Sequence, residues 1–316
     1  MYYIGVDLGG TNIAAGIVNE EGTIIRKKSV PTGRTRKSEE IVGDICRVVL
    51  DIIEEEGLTT EEIHSIGIGS PGIHDRENGV IIYNNNLNFR NVPVRKMIQE
   101  SISLPVYLEN DANCAAIAES VAGAAKGEDY AIIITIGTGI GGGIIIDRKL
   151  YTGFNGAGGE LGHAVIKVNG ELCSCGRKGC WEAYSSATAL IRQTKEAAEK
   201  NPDSKILELV EGDLSKINAK TAFDAAKMGD KTGIEVVDNY ITYLAEGLAN
   251  MVNIFQPGII AIGGGVSKEG EYLLKPLREK MKSITYSSYG LEEGRIVTAK
   301  MGNDAGIVGA AFIPKV

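Results

Sequence analysis

YIGVDLGGTNIAAGIVNEEGTIIRKKSV, Tyr3 to Val30, and AIIITIGTGIGGGIIIDRKLYTG, Ala131 to Gly153, are two versions of one pattern. Each starts with an apolar β-branched strand and enters a glycine-rich turn that carries a threonine. A second strand follows, then a polar turn (Asn19–Gly22 or Asp147–Lys149) and a third strand. Thr11 and Thr138 occupy equivalent places. Three strands joined by short turns make a meander, and a repeated meander marks a duplicated structural unit. The expectation is an α/β chain of two related domains facing each other.

Helical and strand segments alternate around these meanders. Ile41, Ile45, Val48, Val49 and Ile52 have helical spacing within Ser38–Glu56, with Gly57 as the stop. A strand at Ile63–Gly69 runs into Ser70-Pro71-Gly72, and another at Val106–Leu108 into Glu109-Asn110-Asp111. A helix, about Ala112–Gly123, starts there with Asn110 or Asp111 as cap. Further helices are expected at Ser186–Asn201, Thr221–Met228 and Gly233–Phe255. A buried strand at Ile259–Ile262 leads to Gly263-Gly264-Gly265 and another helix, and Gly302–Gly306 opens the last one. In open α/β sheets ligands gather at the carboxyl ends of strands, which is where both the SPG and END segments fall.

The turn Asp7-Leu8-Gly9-Gly10-Thr11-Asn12 suits an anion. Glycines let backbone N–H groups converge without interference from Cβ, and Thr11 adds a hydroxyl. Asp7 cannot face a phosphate unless a cation stands between them, so it reads as a Mg²⁺ partner, directly or through water. A tight hairpin with a structural aspartate would look the same. The second turn contains GxGxxG at Gly137, Gly139 and Gly142. A dinucleotide-binding loop must lead into a helix, whereas Ile144-Ile145-Ile146 is strand, and no GK[ST] follows the glycines. The hairpins at Gly9–Asn12 and Gly137–Thr138–Gly139, together with Gly263–Gly265, suit a nucleotide held between two domains. None of these turns has a lysine, so backbone amides, helix N-termini and Mg²⁺ would balance the phosphate charge.

GGELGHAVIKVNGELCSCGRKGCWEAY holds His163, Cys173, Cys175 and Cys180. Thiolates and an imidazole at short spacings, separated by glycine turns, are what a closed tetrahedral zinc site needs. Cys173 and Cys175 are too close in sequence for an easy mutual disulfide. Glu160 and Glu182 flank the cluster. With Asn110 and His163 they offer the mixed donors and acceptors that a polyhydroxy ligand requires; alternatively they are exposed charges or partners of the zinc ligands. Asp111 is the candidate general base, because a carboxylate hydrogen-bonded to a sugar hydroxyl can take its proton as phosphoryl transfer proceeds. Helix capping is the other use of that position.

Bulk properties narrow the function. The chain has 316 residues, a hydrophobic fraction of 43% and a formal charge of −8. It has no dense Lys/Arg block, which argues against nucleic acid or an anionic membrane as a main partner. MYYIGVDLGG already reads as a strand rather than a secretory signal, and the apolar run 131–146 is broken by glycines and threonines. Five cysteines, three of them clustered, suit the reducing cytoplasm.

The motifs DLGGTN, GSPG, LENDAN, IGTGIGGGII, GAGGELGH, CSCGRKGCWE, GGGVS and GNDAGIVGAA cover nearly the whole chain. Together they closely resemble the ROK family of sugar kinases and repressors, and within it the bacterial glucokinases. The resemblance implies a duplicated actin-like (sugar kinase/Hsp70-type) ATPase fold with two domains around a cleft. The domains would comprise 1–117 plus about 303–316, and 118–302 with the zinc loop. It implies Asp111 as base and a structural Zn²⁺ on His163, Cys173, Cys175 and Cys180. A sugar would be held by Gly72, Asn110, Asp111, Glu160, His163 and Glu182. ATP with Mg²⁺ would be the phosphoryl donor and glucose the acceptor at its 6-hydroxyl, in a homodimer or higher homo-oligomer. Fructose, mannose, allose or N-acetylmannosamine kinases share nearly the same residues, and an idle sugar sensor is the rival from another class. Asn84–Phe89 is expected to border the sugar pocket.

Overall fold

The computed structural model describes residues 1–84, 86–286 and 295–315. Asn85, within the stretch expected to border the sugar, lies outside the described residues, as do 287–294 and 316. The chain divides into two compact units, 1–133 with 143–159 and 299–316, and 134–142 with 160–298.

The first unit begins with β1 (Tyr2–Leu8), β2 (Asn12–Val18) and β3 (Ile24–Pro31), the expected meander, followed by α1 (Ser38–Glu55). Next come β4 (Ile63–Ser70), β5 (Ile73–Asp75), β6 (Val80–Asn84), β7 (Phe89–Val92), α2 (Val94–Gln99), β8 (Val106–Asn110) and α3 (Asp111–Val121). The sheet order is β3-β2-β1-β4-β8. β1 runs antiparallel to β2 and parallel to β4, and β4 runs parallel to β8. β1 and β4 are buried along almost their whole length because both faces are covered. One cover is α1, whose Ile41, Ile45, Val48, Val49 and Ile52 are fully buried with Ile4, Val6, Ile13 and Ile66.

β5, β6 and β7 form a separate small antiparallel sheet, which the sequence reading passed over. Its strands are only three to five residues long, too short for a clear alternation.

The second meander is β9 (Tyr130–Ile136), β10 (Ile140–Ile146) and β11 (Lys149–Tyr151). The helices that follow are α4 (Glu182–Ser185), α5 (Ala187–Lys200), α6 (Lys205–Leu209), α7 (Thr221–Lys227) and α8 (Lys231–Phe255). The chain continues through β12 (Ile259–Gly264), α9 (Glu271–Ile284), β13 (Arg295–Thr298) and α10 (Ala305–Ala311). The second sheet has the order β11-β10-β9-β12-β13, matching the first strand for strand. In the second unit, Trp181 is fully buried and its ring occupies the place where a Cβ on Gly247 of α8 would lie, 2.0 Å from the nearest ring atom.

Two expectations are corrected. Gly263–Gly265 does not open a helix directly: Gly263 and Gly264 end β12, a 3₁₀ turn spans Val266–Glu269, and α9 begins only at Glu271. Gly270, at positive φ, separates the two helical pieces, and Ser267 Oγ ties the turn down by donating to Gly264 O at 2.8 Å. The boundary placed after residue 117 cuts α3, which the contacts keep whole in the first unit. The reason is the fit of α10 on α3: a Cβ on Gly309 would lie 1.7 Å from Cys114 O, so the two backbones touch. A 3₁₀ turn at Gly302–Asp304 precedes α10.

Candidate active site

In the first unit the Gly9–Asn12 turn is held from below. Gly9 N donates to Asn12 O at 3.0 Å. Buried Thr32 donates its hydroxyl to Gly9 O and its amide to Thr11 O, both at 2.8 Å. Thr11 and Asn12 stay exposed, Gly9 and Gly10 are half-buried, and the half-buried Asp7 lies just before the turn in β1. Thr32 is a brace that the sequence reading missed, since nothing local links it to a turn so far back.

β8 pairs with β4 so that Asn110 stands beside Ser70, the start of the SPG turn. Gly72 has φ +109 and packs its Cα against Tyr83 O, where a Cβ would come within 2.0 Å. Asn84, the buried last residue of β6, accepts the Leu87 amide at 3.1 Å. Asn110 is the cap of α3: its Oδ1 accepts the amides of Ala112 at 2.9 Å and Asn113 at 3.4 Å. Asn110 therefore offers a ligand its Nδ2 donor, and Asp111 becomes the first helical residue. Asp111 keeps contact with solvent, but protein packed around its carboxyl raises its pKa above the ordinary carboxylate range, against backbone N–H groups of Ala112 and its own that lower it. Burial, reinforced by the negative charge of Asp111, pushes Asp7 up to about 6. Two carboxylates, one near the end of β1 and one just past the end of β8 with β4 between those strands, each reluctant to ionise, suit one proton acceptor and one cation partner.

Behind them lies a buried ion pair that sequence reasoning missed. Glu109 Oε1 accepts from Arg76 at 2.7 Å, from the Asn110 amide at 2.7 Å and from Asn113 Nδ2 at 2.9 Å. Glu109 is 2% exposed. A glutamate one residue before a cap gives no local sign of a partner thirty-three residues away.

In the second unit the Gly137–Thr138–Gly139 turn is stapled to the start of α5. Ala187 N donates to Gly137 O at 2.9 Å, and Thr188 Oγ1 to Thr138 O at 2.8 Å. Gly264 stands against β9, where its Cβ would lie 2.2 Å from Ile136 O. The third glycine cluster therefore adjoins the second turn, as a common phosphate-binding edge requires.

His163, Cys173, Cys175 and Cys180 come together with all their ligand atoms within 4.8 Å of one another. Cys173 Sγ is 3.6 Å from His163 Nδ1, and Cys175 Sγ is 3.7 Å from Cys180 Sγ. A tetrahedral zinc with ordinary bond lengths sets S···N at about 3.6 Å and S···S at about 3.8 Å. The four side chains fit such an ion, and the cluster uses Nδ1 of His163, leaving Nε2 for another partner. Glu160 is exposed, just before the 3₁₀ turn Leu161–His163. Glu182 is half-buried. Its Oε2 accepts the Ile140 amide at 3.0 Å, and its Oε1 accepts the Ser174 hydroxyl at 2.8 Å. An ionised carboxylate has about four acceptor positions, so Glu182 retains capacity for a sugar hydroxyl.

Residues 3–315 match the model of the ROK family. The glucokinase of Thermotoga maritima is 40% identical over 314 residues, covering 99% of this chain and 96% of that enzyme. The xylose repressor of Bacillus subtilis is 32% identical, covering 99% of this chain and 76% of the repressor. The crystal structure of a ROK family glucokinase from Streptomyces griseus, in complex with glucose and AMPPNP, superposes with a TM-score of 0.81 at 38% identity, covering 98% of each chain. Full-length similarity, two matching five-stranded sheets and the assembled His–Cys cluster agree: the chain belongs to the ROK family.

Proposed function

We propose that this protein is an ATP-dependent glucokinase that phosphorylates the 6-hydroxyl of glucose, with Asp111 as general base. The observation that carries the assignment is the state of Asp111. Asn110 has taken over the capping of α3, so the neighbouring carboxylate is left at a strand end with a raised pKa and solvent access. The similarity to glucokinases along the whole chain supports the substrate.

In this reading the 6-hydroxyl donates to Asp111, which accepts its proton as the bond to phosphorus forms. The Asn110 amide and Gly72 of the SPG turn hold the sugar ring. In the second unit, Glu160, His163 Nε2 and Glu182 are the proposed ring-hydroxyl partners. A group that has lost its intended hydroxyl partner costs about 1–3 kcal/mol, which makes the pocket selective. The backbone of the Gly9–Asn12 and Gly137–Gly139 turns, with Gly263–Gly265, binds the nucleotide, and no lysine is required. Asp7 would hold Mg²⁺, directly or through water, and that ion would neutralise phosphate charge. Zinc on the His–Cys cluster would fix the loop bearing His163 and the approach to Glu182.

Thiols at Cys46 and Cys114 and a thiolate metal cluster suit a reducing compartment, and we place the enzyme in the cytoplasm, acting as a homo-oligomer. No helix among the described residues is long and apolar enough to cross a membrane. The test is a coupled ADP-release screen over a panel of hexoses and N-acetylhexosamines. Glucose should give the highest kcat/KM. A tenfold preference for fructose, allose or N-acetylmannosamine would replace the sugar and leave the base in place. Binding of sugar without turnover would make the protein a sensor.

A further inference from the structure

Glu182 follows Cys180 and Trp181 at the start of α4. Trp181 is fully buried and its indole N–H donates to Tyr243 O at 3.1 Å, so the backbone leading into Glu182 is fixed. From there one carboxylate oxygen reaches Ile140, the first residue of β10 after the glycine turn, and accepts its amide at 3.0 Å. The other oxygen accepts the hydroxyl of Ser174 at 2.8 Å and lies 3.6 Å from Cys173 Sγ. Ser174 stands between two residues of the metal cluster, Cys173 and Cys175. On the other side, a Cβ at position 139 would fall 2.3 Å from Glu182 Oε2, so glycine there admits the carboxylate.

We propose that Ser174, Glu182 and the Ile140 amide form a latch through which the metal-holding loop positions the Gly137–Gly139 turn for the nucleotide. The inference rests on the reading of that turn as a phosphate site. Ser174 and Glu182 are then positioning residues. A turn of glycines has no side chains to fix its own amides, and each of its residues has wide conformational freedom. A charge-assisted bond at its exit narrows that freedom, and phosphoryl transfer depends on such positioning. Metal ligation fixes the thiols on both sides of Ser174, Ser174 orients Glu182, and Glu182 sets the turn. Coupling of this kind runs through contiguous hydrogen bonds and is reciprocal: nucleotide binding strengthens the hold of the loop on its metal by the factor that the metal strengthens nucleotide binding.

The experiment uses the zinc-loaded enzyme and three forms: wild type, Ser174→Ala and Ser174→Thr. Zinc content is read by elemental analysis, and affinity for a non-hydrolysable ATP analogue with Mg²⁺ by calorimetry. Ser174→Ala should keep its zinc and bind the analogue about tenfold more weakly, the loss expected for one hydrogen bond to a charged group. KM for ATP should rise in parallel while kcat at saturating ATP changes less than about twofold. Ser174→Thr, which restores the hydroxyl, should recover most of the affinity. Zinc release by a chelator should also slow when the analogue is bound to wild type, and not in Ser174→Ala. Unchanged analogue affinity in Ser174→Ala with full zinc overturns the latch, as does equal protection of zinc by nucleotide in both proteins. A wild type that binds no nucleotide defeats the phosphate-turn reading itself, a separate failure.

Discussion

Arg76 donates to the buried carboxylate of Glu109 at 2.7 Å, and the same Glu109 oxygen accepts the backbone amide of Asn110. The ion pair thereby sets the backbone at the point where β8 becomes α3, one residue before the proposed base. Arg76 is itself part exposed, so its desolvation is incomplete, whereas Glu109 is not. Removing the arginine would leave Glu109 charged and buried.

Arg76→Met should therefore destabilise the protein by about 2–4 kcal/mol, toward the range for a broken buried pair and reduced for the exposure of Arg76. Glu109→Gln, which keeps an acceptor for the Asn110 amide, should cost less. Denaturant unfolding of the two variants checks the order. Arg76→Met should also lower kcat more than it raises KM for glucose, because it disturbs the setting of Asp111.

One zinc per chain is expected in purified protein washed with a weak chelator. Removing it with a strong chelator should lower the melting temperature and weaken sugar binding, since His163 and the loop before Glu182 lose their anchor. Elemental analysis with calorimetry of glucose binding measures both. A zinc-free protein with unchanged melting and activity would refute the organising role.

Asp7 predicts a pH signature. Its folded pKa is about 6, above its unfolded value, so the native state binds the extra proton between about pH 4 and 6. Its contribution to stability is therefore most favourable at acid pH and is lost as pH rises through 6. His74, buried and near Arg76, is lowered to about 4 and acts with the opposite sign in nearly the same window, losing stability as pH falls from 6.5. The two offset in wild type. In nucleotide-free Asp7→Asn the first effect is gone, so the variant should be more stable than wild type by about 1–3 kcal/mol above pH 6 and no more stable at pH 4. Melting curves at pH 4 and pH 7 without Mg²⁺ test this. The same variant should bind MgATP more weakly.

The parts of the site that share a short stretch of chain were legible in the sequence. The two glycine turns and the END segment at a strand-to-helix junction each lie within a few residues, and the His–Cys group that could hold a metal lies within eighteen positions, where spacing carries the geometry. What escaped joins distant residues: Thr32 under the Gly9 turn, Arg76 with Glu109, and Glu182 with Ile140. Such pairs are set by sheet register and packing, which one sequence does not display. Gly263–Gly265 misled for a local reason. The strand runs on into the glycines and the turn after them is 3₁₀, a distinction that apolar periodicity does not make over four residues.

Asp111→Asn tests the central claim most directly. The substitution keeps the size of the side chain and an acceptor for the Ala112 amide, so the fold and glucose binding should persist. Turnover with saturating glucose and MgATP should fall by about 10²- to 10⁴-fold, the range for losing a general base. A variant that binds glucose normally and retains more than about a tenth of the wild-type kcat, a barrier change of only about 1.4 kcal/mol, would contradict Asp111 as the base.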